Sequence, residues 1–231
     1  MSHLLRSWPE RDNNVVIVEA NKAPRLSKFT DPADVVKESI EKTGRLILRG
    51  VMQRADALNQ NGRVYPRSIL GREVRNYQKF IIEHRALAEL DHPDTSVVEL
   101  KNACLNVIEL DLLENGDVIG AIEVLWRIPS GQILRGLVEH GIKIGISSRG
   151  VGSTTQHGDY VTVCDDFQLV CFDAVSEPST SGAFMLPEGL KLKQDELTEF
   201  KRVYQRFTSV DAREERRDSR LVHMLDEILQ K

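Results

Sequence analysis

Short apolar runs bounded by turn residues dominate the middle of the chain, between residues 45 and 187. They are rich in Val, Ile and Leu, which suit the pleated, half-buried surface of a strand. The runs cover residues 46–51, 97–113, 118–126, 142–146, 160–164 and 168–172. Between the second and third of them, Glu114-Asn115-Gly116-Asp117 is typical of a tight hairpin, because Asn-Gly accepts a positive φ. The pattern predicts a mainly β core.

Helical spacing is found twice within this β-rich region and again on either side of it. Asp31-Pro32 supplies an N-cap and a first-turn proline for a helix that stops at Thr43-Gly44. Inside the core, helices are predicted over residues 66–82 and 129–140, the second followed by a glycine. After Leu192, two apolar stripes and mixed charges predict an amphipathic helical tail.

These patterns divide the chain into three regions. Residues 1–44 form an N-terminal arm and propeptide candidate, and residues 45–188 form the core. Residues 189–231 form the helical tail, interpreted as a propeptide or assembly segment and joined through a Pro- and Gly-containing linker. The predicted fold class is α+β, mainly β.

Composition limits the function classes. With 231 residues, 41% hydrophobic content and a net charge of −4, the chain is long enough for one sizeable core, and a dedicated nucleic-acid binder is disfavoured. No apolar stretch approaches a membrane span, and no signal pattern begins the chain. Cys104, Cys164 and Cys171 lack metal-ligand spacing and are interpreted as buried side chains of a reducing compartment. No metal or cofactor is expected.

Two short segments carry candidate chemistry: Glu89-Leu90-Asp91-His92-Pro93 and Gly145-Ile146-Ser147-Ser148-Arg149-Gly150. The serine pair is predicted to lie in a glycine-flanked turn at the end of an apolar run. Serine is a weak nucleophile at neutral pH, so it needs an imidazole to take its proton and a third group to orient that imidazole. Taken alone, the serines are explained as well by a polar turn and the histidine by a solvated strand end.

The two segments belong to an ordered series of four motifs. The other two are Asn61-Gly62-Arg63-Val64-Tyr65-Pro66 and Phe172-Asp173-Ala174-Val175-Ser176-Glu177-Pro178-Ser179. In this order the motifs resemble the prohead core proteases of T-even-type tailed bacteriophages, which are similar in fold and mechanism to herpesvirus capsid maturation proteases. The resemblance implies a herpesvirus-protease-like β-barrel core surrounded by helices, and a serine endopeptidase.

The resemblance also implies roles for individual residues. It makes Ser147 the nucleophile, with Ser148 as the alternative, and His92 the general base. For the third member it favours Asp173, whose carboxylate follows an apolar run and therefore needs a partner such as a protonated imidazole. The rivals for this third role are Glu89, Asp91, Asp165 and Asp166, of which the last two are better explained by a hairpin turn.

An oxyanion hole needs donors aimed at the developing negative charge. The backbone N–H groups of Ser148, Arg149 and Gly150 follow the nucleophile directly and are the candidates. The side chain of Arg149 is either a further donor or a surface arginine.

The chain itself contains candidate cleavage sites. The family is understood to cleave after glutamate in a Leu/Ile-x-Glu context before Ala or Gly, and to process itself. Two glutamates here precede Ala or Gly: Glu19, in Ile17-Val18-Glu19-Ala20 within the arm, and Glu188, in Leu186-Pro187-Glu188-Gly189 at the boundary of core and tail. This coincidence predicts a zymogen that loses its arm and its tail, with Pro187 as an obstacle to the second cut.

Partners follow from the resemblance as well. The implied substrates are scaffold or core proteins and the major capsid protein, within a prohead in the host cytoplasm, and self-association is expected there. Nucleic acid and membrane are not expected as partners. Two other classes stay open: a non-enzymatic capsid or scaffold protein that retains the fold, and a metal-dependent hydrolase using Asp91, His92 and Asp94, for which a second ligand motif is lacking.

Overall fold

Three helices and ten strands follow one another along residues 31–190, the part of the chain described by the structure, a computed structural model. The helices are α1 (Pro32–Thr43), α2 (Arg67–Ile82) and α3 (Pro129–Glu139). The strands are β1 (Ile47–Arg54), β2 (Arg63–Val64), β3 (Leu87–Glu89), β4 (Ala103–Leu112), β5 (Asp117–Val124), β6 (Ile144–Val151), β7 (Thr154–His157), β8 (Tyr160–Val163), β9 (Gln168–Val175) and β10 (Phe184–Pro187). The predicted helical tail and the Glu19-Ala20 site lie outside the described residues.

The main sheet has seven strands in the order β3-β4-β5-β1-β10-β6-β9, and all neighbours in it are antiparallel. Its two outer strands meet where Leu90, just after β3, forms a parallel bridge with Ala174 of β9. The Asp91 N–H adds a 2.8 Å hydrogen bond to the Ala174 carbonyl. The sheet is therefore curled into a nearly closed barrel, which confirms the predicted mainly β core. A smaller sheet has the order β2-β8-β7.

The helices pack around this barrel. Asp31 caps α1 by accepting a 2.9 Å hydrogen bond from the Ala33 N–H, and Gly44, with a φ of 72°, ends the helix as predicted. Val36 of α1 is fully buried, and α1 packs against α3 and β10. The part of the predicted arm that begins at residue 31 therefore packs with the core. No helix within residues 31–190 is long and apolar enough to cross a membrane.

The serine segment is a strand, so the predicted glycine-flanked turn is wrong. Ser147, Ser148 and Arg149 all lie inside β6. The two glycines permit close packing within the strand: a Cβ at Gly145 would lie 2.7 Å from Cδ of Pro178, and one at Gly150 would lie 2.5 Å from the Phe167 ring. The spacing of glycines in the sequence does not distinguish a glycine that allows a turn from one that allows close packing against a strand.

The segment predicted as a linker to the tail contains β10, an internal strand of the main sheet. This strand pairs with β1 on one side and with β6 on the other. Gly50 of β1 makes room for it, because a Cβ there would lie 2.2 Å from the Phe184 carbonyl oxygen. The linker prediction is therefore wrong for residues 184–187. The apolar run predicted as a strand from residue 97 also starts late, since a 3-10 helix, Leu100–Asn102, precedes β4.

Candidate active site

Strands β6 and β9 place Ser147 directly opposite Asp173. Side chains of directly opposed residues in an antiparallel pair lie on the same face, with Cβ atoms roughly 4.5–5.5 Å apart. Ser147 is 6% exposed and Asp173 is fully buried. Ser148 is paired with Phe172, and because successive side chains alternate, it lies on the opposite face from Asp173. The register thus separates the two adjacent serines.

His92 comes to this face from the other end of the sheet, on the loop that follows β3 at the barrel closure. Its Nδ1 lies 2.7 Å from Oδ2 of Asp173, and its side chain is 41% exposed. An ionised carboxylate only accepts hydrogen bonds, so Nδ1 carries the proton and donates it. In the neutral ring, Nε2 is then the unprotonated nitrogen, which is able to take a proton from a hydroxyl group.

Hydrogen bonds hold the Asp173 carboxylate from several directions. Oδ1 accepts from the Glu89 backbone N–H at 3.0 Å, from Arg149 Nη2 at 3.2 Å and from the Cys171 thiol at 3.2 Å. Oδ2 accepts from His92 and lies 2.9 Å from Arg149 Nε. These contacts satisfy the buried carboxylate and hold it in one orientation.

The Ser147 hydroxyl is hydrogen bonded to the hydroxyl of Ser179, at 3.3 Å between the two Oγ atoms. Within residues 31–190 it makes no hydrogen bond to the His92 ring. A serine Oγ moves by rotation about χ1 alone, and such contacts are often long or poorly aligned before substrate binds.

Arg149 is buried between two carboxylates, so the predicted alternative of a surface arginine is wrong. Its side chain is 8% exposed, and Nη2 donates to Glu89 Oε2 at 2.5 Å. Nη1 donates to the Thr95 carbonyl at 2.9 Å. Burial alone would lower the pKa of Arg149, but the hydrogen bond to Glu89 and the charge of Asp173 raise it above its usual value.

The backbone of β6 has an open side next to Ser147. The Ile146 N–H donates to the Ala183 carbonyl at 2.9 Å, on the side where β10 lies. Successive N–H groups of a strand point to opposite sides, so the Ser148 N–H points to the same side as that of Ile146. Strand β10 pairs with β6 at Ile144 and Gly145, and the bond from Ile146 to Ala183 extends this contact by one residue. Among residues 31–190, no strand pairs with β6 on this side at Ser148, so the Ser148 N–H lies at an open edge beside the Ser147 side chain.

Within residues 31–190, the carboxylate that is hydrogen bonded to the His92 ring is that of Asp173 and not that of a rival acid. Asp165 and Asp166 form the turn between β8 and β9, as predicted. Hydrogen bonds from the Ser153 backbone and hydroxyl lower the pKa of Asp166. Asp91 is exposed, with a φ of 61°. Among residues 31–190, no group of three His, Cys, Asp or Glu side chains is arranged to hold a metal ion.

The candidate cleavage site at Glu188 lies directly after the internal strand β10. The Glu188 N–H donates to the Ile47 carbonyl at 2.9 Å, and its carboxylate lies 3.2 Å from Arg49 Nε. Gly189 follows with a φ of 86°. The residues before the candidate bond are thus built into the sheet.

The buried pair of Glu89 and Arg149 was not predicted as a unit. Glu89 is a single charge after two apolar residues of β3, which is a local signal for a buried partner, whereas Arg149 follows two serines in β6 and has no such signal. The two are 60 positions apart along the chain, so the pairing follows from the barrel closure rather than from local pattern.

The barrel, with an imidazole and a buried carboxylate gathered on one face beside a serine, has the architecture and groups of a peptidase. Residues 17–195 match the family described as prohead core protein serine protease. The chain belongs to this family. It is 33% identical over 153 residues to the prohead core protein protease of Enterobacteria phage T4, covering 64% of this chain and 72% of that one. It also matches the structure of the bacteriophage T4 capsid assembly protease with a TM-score of 0.54 and 30% identity, over 57% of this chain and 82% of that one.

Proposed function

We propose that this chain is a serine endopeptidase of capsid maturation, with Ser147 as nucleophile, His92 as general base and acid, and Asp173 as the group that orients the imidazole. One observation carries the proposal. The Nδ1 of His92 lies 2.7 Å from a fully buried carboxylate, and that carboxylate is directly opposite Ser147 on the neighbouring strand. This pairing fixes the tautomer that a serine nucleophile requires.

The reaction follows from these positions. Ser147 Oγ rotates away from Ser179 and attacks the scissile carbonyl carbon while its proton passes to His92 Nε2. Asp173 stabilises the imidazolium that forms, and the Ser148 N–H donates to the oxyanion of the tetrahedral intermediate. The intermediate collapses, the C–N bond breaks and the leaving amine takes the proton from His92. Water, deprotonated by the same imidazole, then hydrolyses the acyl-enzyme ester.

The substrates are scaffold or core proteins and the major capsid protein, cleaved after Glu in Leu/Ile-x-Glu-Ala/Gly contexts inside the prohead. The relatives support this assignment, since one is described as a prohead core protein protease and the other as a capsid assembly protease. The barrel is further assigned to the class of the herpesvirus maturation proteases. Copies of the chain associate in the prohead and process one another after Glu19 and after Glu188, leaving a protein of residues 20–188.

The cut after Glu188 is made by a second copy. Strand β10 must leave the sheet before the residues preceding the bond fit any active site, because they pair with β1 and β6. A copy in which β10 has left the barrel is not competent to cut itself. The Glu19 site is far from β10 along the sequence, and we expect it to be cut first.

The test uses the adjacent serines as matched variants. Purified Ser147→Ala and Ser148→Ala chains are incubated with an internally quenched peptide containing Ile-Val-Glu-Ala, the sequence of residues 17–20. Ser147→Ala should lower kcat/KM by on the order of 10⁴ or more, and Ser148→Ala by less than about tenfold. Full activity of Ser147→Ala would refute the assignment. Absence of peptidase activity in the unaltered chain, with capsid assembly intact, would support the non-enzymatic alternative.

A further inference from the structure

The loop that carries His92 is fastened by a buried ionic pair that the proposed reaction does not use. Glu89 Oε2 accepts from Arg149 Nη2, while Glu89 Oε1 accepts from the Glu99 backbone N–H at 3.0 Å. Arg149 Nη1 donates to the Thr95 carbonyl at 2.9 Å. The pair therefore holds the far part of the loop, and the bond from Asp91 to Ala174 holds its beginning. His92 lies between these fixed points.

The same pair borders the acid that orients the imidazole. Arg149 contacts both oxygens of Asp173, and the Glu89 N–H donates to one of them. Glu89 and Asp173 are fully buried, and Arg149 is 8% exposed. These three groups carry two negative charges and one positive charge. The excess is one negative charge, which becomes balanced when His92 takes a proton.

We propose that Glu89 and Arg149 are a positioning pair for the proposed protease reaction: they fix the His92 loop and set the charge balance around the imidazole and Asp173. Arg149 holds the acid in the orientation that receives Nδ1, and its positive charge offsets Glu89. This inference rests on the proposed function for its catalytic meaning, although the charge coupling to His92 can be measured without catalysis.

Buried carboxylates are costly without partners, so a pair retained for structure alone would be replaceable by apolar side chains of similar volume. A positioning pair has a different signature. Loss of the negative charge of Glu89 makes protonation of His92 less favourable, and loss of the positive charge of Arg149 makes it more favourable. Removing both charges returns the excess to one negative charge, that of Asp173.

Other charged and titratable groups lie near this cluster and stay constant in the comparison. They are Cys171 on β9, Cys104 on β4, Tyr77 on α2, Asp91, Asp94 and Glu99 on the loop, and Lys101 on the 3-10 helix. Burial raises the pKa of Cys104, Cys171 and Tyr77 above their usual values, so these three remain neutral over the range in which an imidazole titrates.

The test follows the His92 ring by NMR through a pH titration, in full chains that carry Ser147→Ala to prevent self-cleavage. Glu89→Gln should lower the titration midpoint by on the order of one pH unit, and Arg149→Met should raise it by a similar amount. The double variant should return to within about 0.3 unit of the reference. Shifts in one common direction, or no shifts, would overturn the proposal. If Arg149→Met alone does not fold, Glu89→Gln and the double variant still decide it.

Activity supplies a second, separate readout on chains with Ser147 restored. The acid limb of kcat/KM against pH should move in the same directions as the NMR midpoint. Arg149→Lys, which keeps the charge but not the planar fork, should leave the limb in place and lower kcat by tenfold or more. An unchanged kcat in Arg149→Lys would remove the loop-fixing role. If the NMR midpoints shift and the activity profile does not, His92 is not the base and the proposed function fails while the charge coupling stands.

Discussion

Release of β10 from the sheet should control the cut after Glu188, and substitution of Met185 is a way to change the free energy of that release. Met185 lies in the middle of β10 and is 2% exposed. Replacing a buried Met by Ala costs about 2–5 kcal/mol in the packed state. When β10 detaches, the side chain is exposed in either variant, so the opened state does not carry this cost. The free energy of opening should therefore fall by about 2 kcal/mol or more.

A fall of about 2 kcal/mol makes the opened state roughly 30-fold more populated. If opening and closing are fast relative to cleavage, the rate of the Glu188 cut rises by the same factor. The substrate is an isotope-labelled Ser147→Ala chain, with or without Met185→Ala, and the unlabelled active chain is the protease. Intact-mass spectrometry over time resolves the cuts after Glu19 and after Glu188 in one molecule. The Glu19 cut should keep its rate.

Two controls separate release of β10 from other effects. A peptide of residues 182–192, with Met or with Ala at position 185, measures any direct effect on recognition. Met52→Ala removes a fully buried methionine from β1, outside the part of β1 that pairs with β10. It should accelerate the Glu188 cut far less than Met185→Ala. Equal acceleration would mean that whole-core unfolding exposes the bond, and no acceleration by Met185→Ala would refute the reasoning.

Three further results are expected. Asp173→Asn should lower kcat/KM by on the order of 10³–10⁴ in the peptide assay, because an amide no longer selects the tautomer with the proton on Nδ1; activity within tenfold of the unaltered chain would transfer the orienting role to another acid. Gly150→Ala should destabilise the fold by about 1–3 kcal/mol, which calorimetry would detect as a lower Tm. The reason is that the new Cβ would lie 2.5 Å from the Phe167 ring and 2.7 Å from the Gln168 carbonyl oxygen. Gly136→Ala is the control, because a Cβ at that position has open space around it. Asp166→Asn should be less stable than the unaltered chain above pH 3.8, the ordinary pKa of Asp. The difference in stability should shrink as the pH falls below this value, because the lowered pKa of Asp166 stabilises the folded state only while the carboxylate is ionised. A difference that grows at acid pH would contradict this.

Local sequence signals predict where helices and strands begin and end, but not which strands lie next to one another in the sheet. Asp31 and Pro32 are typical of a helix start and Gly44 of a helix end, and α1 is found where these residues predict it. Strand β10 has no such signal: it is four residues long and ends in a proline. Its place between β1 and β6 depends on the room left by Gly50, which is 134 positions away from Phe184 along the chain.

The candidate site shows the same division. His92, Ser147 and Asp173 were singled out through an ordered set of motifs, and their arrangement required the β6–β9 register and the barrel closure. The turn predicted at Ser147 failed because glycines that allow close packing have the same sequence pattern as glycines that allow a turn. The burial of Arg149 was unpredictable locally, since its partner Glu89 comes from the opposite edge of the sheet.

The late position of β10 has a consequence for synthesis. Strands β1 and β6 are its neighbours, and both leave the ribosome well before residues 184–187 do. Until then the nascent sheet is split, with unpaired N–H and C=O groups on two inner edges that are open to other strands. The main sheet becomes continuous when β10 inserts between β1 and β6, which are already made. The main sheet, and with it the edge of β6 beside Ser147, therefore takes its final form only after residues 184–187 have left the ribosome.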